Sequence, residues 1–320
     1  MVKEYSDPTV QDIVSAQTHV YRFLQPTPLY RYSGLCDLVG TDVWVKHENH
    51  LPVGAFKVRG GINLLAELTT EQRSAGLFTA STGNHGQSIA YAAREFRARA
   101  TIAVPERSNP GKVAAMRGLG ANVIFHGADF DAARQWVSAR AAEEGGYFVS
   151  PTDESLICGV GTYALEIVET LPDVETIIVP VGAGSGACGV CIVAKSVNPR
   201  IEVIAAQSAQ APTMQLSWAA GKPVTASMDT FAEGVATRVP FENTQRIMRK
   251  YLDDFVLVDD EEIKSAIRQM LEHTHNLAEG AGAVALAAAL KLKDRLSQRK
   301  TVIVLSGGNL SSEKLRTILA

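Results

Sequence analysis

Short β-branched runs alternate with longer amphipathic stretches along the chain, and that rhythm limits the fold more than any other feature. VWVKH, LFTAS, ATIAV, ANVIF, GYFVS, ETIIVPV, EVIAA, FVLV and TVIVL each end in glycine, proline or polar residues before a helical pattern begins. The helical stretches include HGQSIAYAAREF, DAARQWVSARAAEE, EEIKSAIRQMLEH and the alanine-rich AVALAAALKLKDRL. This alternation predicts an α/β protein with open, twisted, mostly parallel sheets and helices on both faces. The segment from about Gly76 to Ser150 holds four consecutive strand and helix units. It predicts a small domain over residues 76–150, inserted into a large domain of residues 1–75 and 151–320. A cleft between two such lobes is a favoured ligand site.

Charge and hydropathy exclude several classes of partner. The 31 basic and 34 acidic residues give a net charge of -3 and are spread along the 320 residues, so no basic stripe offers itself to nucleic acid. The longest apolar run, AGAVALAAAL, stops at about half the ~20 residues of a membrane span. MVKEYSDPTVQD is polar and acidic where a secretory leader carries positive charge and an apolar core. With only Cys36, Cys158, Cys188 and Cys191, the chain reads as a reduced, cytoplasmic protein.

Three strands run into glycine-rich turns and then helices: LFTA into STGNHG, TIIVPV into GAGSGACG, and TVIVL into SGGN. Glycine lets backbone approach a ligand, and the helix N-terminus that follows favours phosphate or carboxylate. Three such turns at the carboxyl ends of strands point to a site built from several loops. The middle one matches a dinucleotide fingerprint through Gly184, Gly186 and Gly189. A nicotinamide site also wants an acidic residue after the next strand, and EVIAA is followed by Gln207. The same turn misses a hydrolase elbow, because Ala183 and Ala187 stand where the outer glycines belong.

Upstream, GAFKVRGG sets Lys57 beside Phe56, with Gly54 and Ala55 before it and Gly60 and Gly61 after it as a short hinge. An apolar setting would desolvate the lysine and favour the neutral amine that forms Schiff bases. A solvated lysine on the first turn of the INLLAEL helix fits the same residues.

Taken in order, AFKVRGG, STGNHG, PVGAGSG and LSGGN resemble the motifs of the fold type II pyridoxal-phosphate (PLP) enzymes, and within them the threonine and serine dehydratases and serine racemases. The resemblance runs from PTPLYR to Asn309. It implies the tryptophan synthase β-like fold, PLP as cofactor, a small amino-acid substrate and a homodimer. It also implies that Lys57 forms the Schiff base, that Phe56 packs beside the pyridine ring and that Asn84 meets the 3-hydroxyl. Gly182, Ala183, Gly184 and Ser185 match the phosphate loop, and Ser306 the residue facing the ring nitrogen. Ser81, Thr82, Asn84 and His85 resemble the loop that receives the substrate carboxylate. Glu279 in AEGAGA matches an acidic residue near the cofactor, although a helix N-terminal charge accounts for it equally.

The reaction so implied is dehydration of a β-hydroxy amino acid such as L-threonine or L-serine to a 2-oxo acid and ammonia, with Lys57 as base. A serine at position 306 leaves the ring nitrogen unprotonated, which suits elimination better than a long-lived carbanion. Racemisation is the nearest alternative and turns on position 82, where the racemases place serine and this chain has Thr82. Thr152 is smaller than the residue many threonine dehydratases carry there, which leaves room for a larger substrate such as phenylserine or a hydroxyectoine-derived amino acid. Gln207 and Thr213 replace acidic cation ligands of the family, so no metal site is expected. With the chain ending at Ala320, no regulatory domain and no feedback control are expected. Cys188 and Cys191 read as small core residues rather than a metal or redox pair, and His273 and His275, two apart on a helix, have no role.

Overall fold

A computed structural model describes residues 7–320; residues 1–6, part of the N-terminal stretch read above for a leader, lie outside the described residues. The strands are β1 (Leu29–Arg31), β2 (Val43–His47), β3 (Leu77–Ala80), β4 (Ala100–Val104), β5 (Asn122–Phe125), β6 (Tyr147–Phe148), β7 (Thr176–Pro180), β8 (Glu202–Ser208), β9 (Asp254–Val258) and β10 (Thr301–Leu305). They form a six-stranded sheet, ordered β1-β2-β10-β7-β8-β9, and a four-stranded sheet, ordered β5-β4-β3-β6. Every pairing is parallel except that of β1 with β2. All nine runs read as strands become strands. The sequence reading missed β1, whose three residues are too few to show an alternation.

The central strands are apolar at nearly every position because helices cover both faces of the larger sheet. In β7, Ile177 and Val179 pack on one face and Ile178 on the other; in β10, Val302 and Val304 oppose Ile303 and Leu305. The alanine-rich pattern forms the Gly280–Lys291 helix, but breaks at Leu292 before a short turn of helix at Lys293–Leu296. Its small side chains let that helix lie close to β7 and β10.

One polar cluster sits inside this core. Arg59 has no exposed surface and grips two carboxylates: Nε and Nη2 donate to Glu48 at 2.7 and 2.9 Å, and Nη1 and Nη2 to Glu166 at 2.6 and 3.0 Å. Lys46 also binds Glu166, while Thr27 and Tyr21 donate to the same acids. Two cations and two anions thus balance, with hydrogen bonds filling the remaining valences. Burial alone would raise the Glu166 carboxyl, but Arg59 and Lys46 outweigh it and hold it below the usual carboxylate range. Glu166→Gln leaves a buried cation uncompensated and is expected to cost about 3–5 kcal/mol in urea unfolding at neutral pH. Because the folded carboxyl titrates below the unfolded one, this contribution is present above the unfolded value of about 4 and is lost as pH falls through the folded value. The gap between variant and parent should therefore narrow on acidification; a gap independent of pH would contradict the ionised pairing.

Candidate active site

Strands β2, β10 and β7 are adjacent and parallel, so their carboxyl ends open along one edge of the larger sheet. The approach to Lys57 is tied to that edge: Ala55 bridges Gly307, and Phe56 N donates to Ser306 O at 3.1 Å. Lys57 then begins the Lys57–Glu67 helix. Gly60 and Gly61 do not form the hinge expected from the sequence. They lie inside this helix, where a Cβ on Gly61 would stand 2.5 Å from Ser88 Oγ and one on Gly60 2.8 Å from Leu156 O. Their absent side chains admit close helix packing instead.

The Lys57 amine faces the neighbouring loop. Its Nζ donates to Ser185 Oγ at 2.6 Å and lies 5.0 Å from the centre of the Phe56 ring. Burial pushes it down from the ordinary lysine range to about 8. Lys57 thus stands on the first turn of the helix half-buried, with its amine turned to Ser185 and not free in solvent. Phe56 is itself held edge-on by Tyr163, whose hydroxyl donates to Gly186 O at 3.2 Å.

Gly182, Ala183, Gly184 and Ser185 form a tight turn into the thirteen-residue Ser185–Val197 helix. Gly184 takes the left-handed φ of +100°, and a Cβ there would meet Thr244 at 2.9 Å; one on Gly182 would meet Gly234 O at 2.2 Å. Thr244 Oγ1 donates to Ala183 O at 2.7 Å and braces the turn from outside. The unpaired N–H groups and positive end of the helix make it an anion cradle. Ser306, at the end of β10, is buried, and its hydroxyl donates to Ala281 O at 3.4 Å.

The smaller sheet contributes STGNHG after β3. Ser81 Oγ accepts from Gly83 N at 3.1 Å and Gly86 N at 2.9 Å, so its hydroxyl shapes the turn. Thr82 is half-buried beside it. Asn84 opens the Asn84–Glu95 helix; its Nδ2 donates to Glu279 Oε1 at 2.6 Å and its Oδ1 accepts from Asn309 Nδ2 at 2.8 Å. His85 is buried, and Thr79 fixes its tautomer. The Thr79 hydroxyl donates to Val149 O at 2.9 Å, so it accepts from His85 Nε2 at 2.9 Å. Burial, with the nearby Lys57 charge, pushes His85 down to about 3, so the ring is neutral and Nδ1 presents a bare lone pair.

Other residues singled out in the sequence are engaged elsewhere, except that Cys188 lies near enough to Lys57 for the two to interact electrostatically. Gln207 is buried and spends its amide on Val235 O and Gln215 N, both at 3.2 Å, while Thr213 donates to Arg238 O. Thr152 is buried against Ser150. All four cysteines are free and buried. His273 contacts Gln269, and His275 caps its helix in the left-handed conformation. Sequence reading did not assign Thr79, Thr244, Tyr163 or Asn309; only Asn309 carried a signal, as the last residue of the LSGGN motif.

These residues fit a phosphorylated pyridine aldehyde: an amine that can lose its proton, an apolar ring beside it, a strand-end hydroxyl, and an anion cradle within hydrogen-bond reach of the amine. Lys57 gives this fit a pH signature. The reactive neutral amine grows with pH and is half formed at about 8. The rate at which apoprotein captures PLP should therefore rise with pH and level off above about 8. A rate still climbing near pH ~10, as for a solvated lysine, would contradict the burial argument.

Known proteins agree. The chain is 39% identical over 313 residues to an L-threonine ammonia-lyase of Thermotoga maritima, covering 97% of this chain and 78% of that one. It is 34% identical to a biosynthetic L-threonine dehydratase of Haemophilus influenzae, covering 97% of this chain and 61% of the relative. Among solved structures, maize serine racemase superposes with a TM-score of 0.93 at 31% identity, covering 98% and 97% of the two chains. The processed form of threonine deaminase isoform 2 from Solanum lycopersicum superposes at 0.92 and 31% identity, covering 99% and 90%. Residues 20–307 match the pyridoxal-phosphate dependent enzyme family, and the chain belongs to it.

Proposed function

We propose that the protein dehydrates a small β-hydroxy amino acid, with L-threonine or L-serine as the type substrate, to a 2-oxo acid and ammonia. The observation that carries this reading is the pairing of a desolvated Lys57 amine beside the cradle with a serine, not an acid, at position 306. The threonine ammonia-lyases and dehydratases among its relatives support it. Bound in this site, PLP supplies an electron sink for the bond from Cα to its proton. The residues of the chain divide the other tasks. Lys57 Nζ would be the base for the α-proton. Backbone N–H groups at the start of the Asn84–Glu95 helix take the carboxylate; the neutral His85 ring, which offers a lone pair there, does not. Gly182 to Ser185 would hold the phosphate, Phe56 would flank the ring, and Ser306 would offer its nitrogen a neutral hydroxyl. Hydroxide from Cβ and the proton from Cα leave as water, and the released enamine hydrolyses to the 2-oxo acid and ammonia.

We further propose that residues 76–150 act as a small domain closing on the rest. Two ion pairs cross the cleft in support, Lys112 with Glu233 and Arg238 with Asp129 at 3.5 Å. Lys112 and Glu233 also line a cavity of ≈ 250 Å³ beside Glu279 and Asn309. Homodimerisation and a cytoplasmic location belong to the same reading and rest on the family resemblance and the free cysteines.

Racemisation is the second reading, favoured by the serine racemase neighbours and the hydroxyl of Thr82. Ammonia release across a panel of β-hydroxy amino acids, phenylserine included, tests the first. Rapid appearance of the D-isomer without ammonia would contradict it. Thr82→Ser removes one methyl and should raise the share of racemised substrate; an unchanged share would remove Thr82 from the second reading.

A further inference from the structure

Three chain segments meet at one carboxamide. Asn84 starts a helix after β3, Glu279 starts the Gly280–Lys291 helix, and Asn309 follows β10. Glu279 occupies the cap position of its helix and makes no capping bond; its Oε1 accepts a hydrogen bond from Asn84 Nδ2 instead, at 2.6 Å. Its backbone is fixed as well, with Glu279 N donating to Gly307 O at 3.1 Å.

Asn309 Nδ2 uses both its hydrogens, one on Val53 O and one on Asn84 Oδ1, each at 2.8 Å. The two ends of a carboxamide are alike in shape, so only its partners decide which way it faces. Burial raises the Glu279 carboxyl while the bond from Asn84 pulls it back down, and its Oε1 is the acceptor here; the doubly committed amide nitrogen of Asn309 can only donate. Turning Asn84 over would set oxygen against oxygen on one side and nitrogen against nitrogen on the other.

We infer that Glu279 and Asn309 are positioning residues: together they lock the Asn84 carboxamide so that its remaining N–H is presented to an oxygen on the bound cofactor ring. The inference rests on the reading of Asn84 as the partner of the PLP 3-oxygen and on nothing about the substrate. A donor held there favours the deprotonated oxygen, so the lock is read in the absorption of the bound cofactor and in its affinity.

The test uses PLP-loaded enzyme without substrate. Glu279→Ala and Asn309→Ala should each shift the ratio of the cofactor's two absorption bands in the direction set by Asn84→Ala and weaken PLP binding by roughly tenfold, the loss of one ordered hydrogen bond to a charged group. Glu279→Gln, which keeps an acceptor for Asn84, should restore much of both signals. Adding Glu279→Ala to Asn84→Ala should change nothing further, because Glu279 acts through Asn84. Should Glu279→Ala not fold, Asn309→Ala in the half-buried loop carries the comparison alone. Folded alanine variants with the parent spectrum and PLP affinity would overturn the inference, as would effects that add to those of Asn84→Ala or an Asn84→Ala spectrum equal to the parent's. Because no amino acid is turned over, an error in the proposed substrate leaves these readouts unmoved.

Discussion

The division of the Arg59 guanidinium between Glu48 and Glu166 is the fixed point of the site. It stands two residues after Lys57 on the same first turn of helix, and it ties that turn to the end of β2 through Glu48 and to the Glu154–Thr170 helix through Glu166. A guanidinium with two carboxylates has little rotational freedom, because each pair demands planar alignment. The amine is carried by this turn, so its direction towards Ser185 is inherited from a cluster that never touches the reacting atoms. The charge of the cluster is balanced internally.

Desolvation then does the chemical preparation. Lys57 is half-buried between the Phe56 ring and the start of the Ser185–Val197 helix, and burial lowers its proton affinity so that the neutral amine is half formed at about pH 8. The same burial strengthens the positive end of the helix at Ser185, so an anion and a neutral amine are both favoured within one hydrogen-bond length of each other. Ser306 completes the arrangement from β10 without adding charge.

Much of this was legible in the sequence. Parallel strands buried on both faces must read as uninterrupted β-branched runs, so TIIVPV and TVIVL announced themselves, and the glycine turns after them followed from the close approach a ligand needs. Lys57 was singled out by its place among ordered motifs. Its environment was not readable, because the residue its amine meets, Ser185, is 128 residues away. Three-residue β1 lacked the length to show a period. Gly60 and Gly61 looked like a hinge because sequence shows the missing side chain but not Ser88 and Leu156 packed into the space. Glu279 was ambiguous for a similar reason: sequence shows an acid at a helix start but not its contact with Asn84, 195 residues away.

The central claim is that Lys57, and no other of the 31 basic residues, carries the cofactor. Borohydride reduction of PLP-loaded protein fixes the imine as a stable secondary amine, and mass analysis of the digested chain locates it. One pyridoxyl group on the peptide containing Lys57 is the expected result. A label on any other lysine, or none on Lys57 in protein that binds and turns over substrate, would contradict the account.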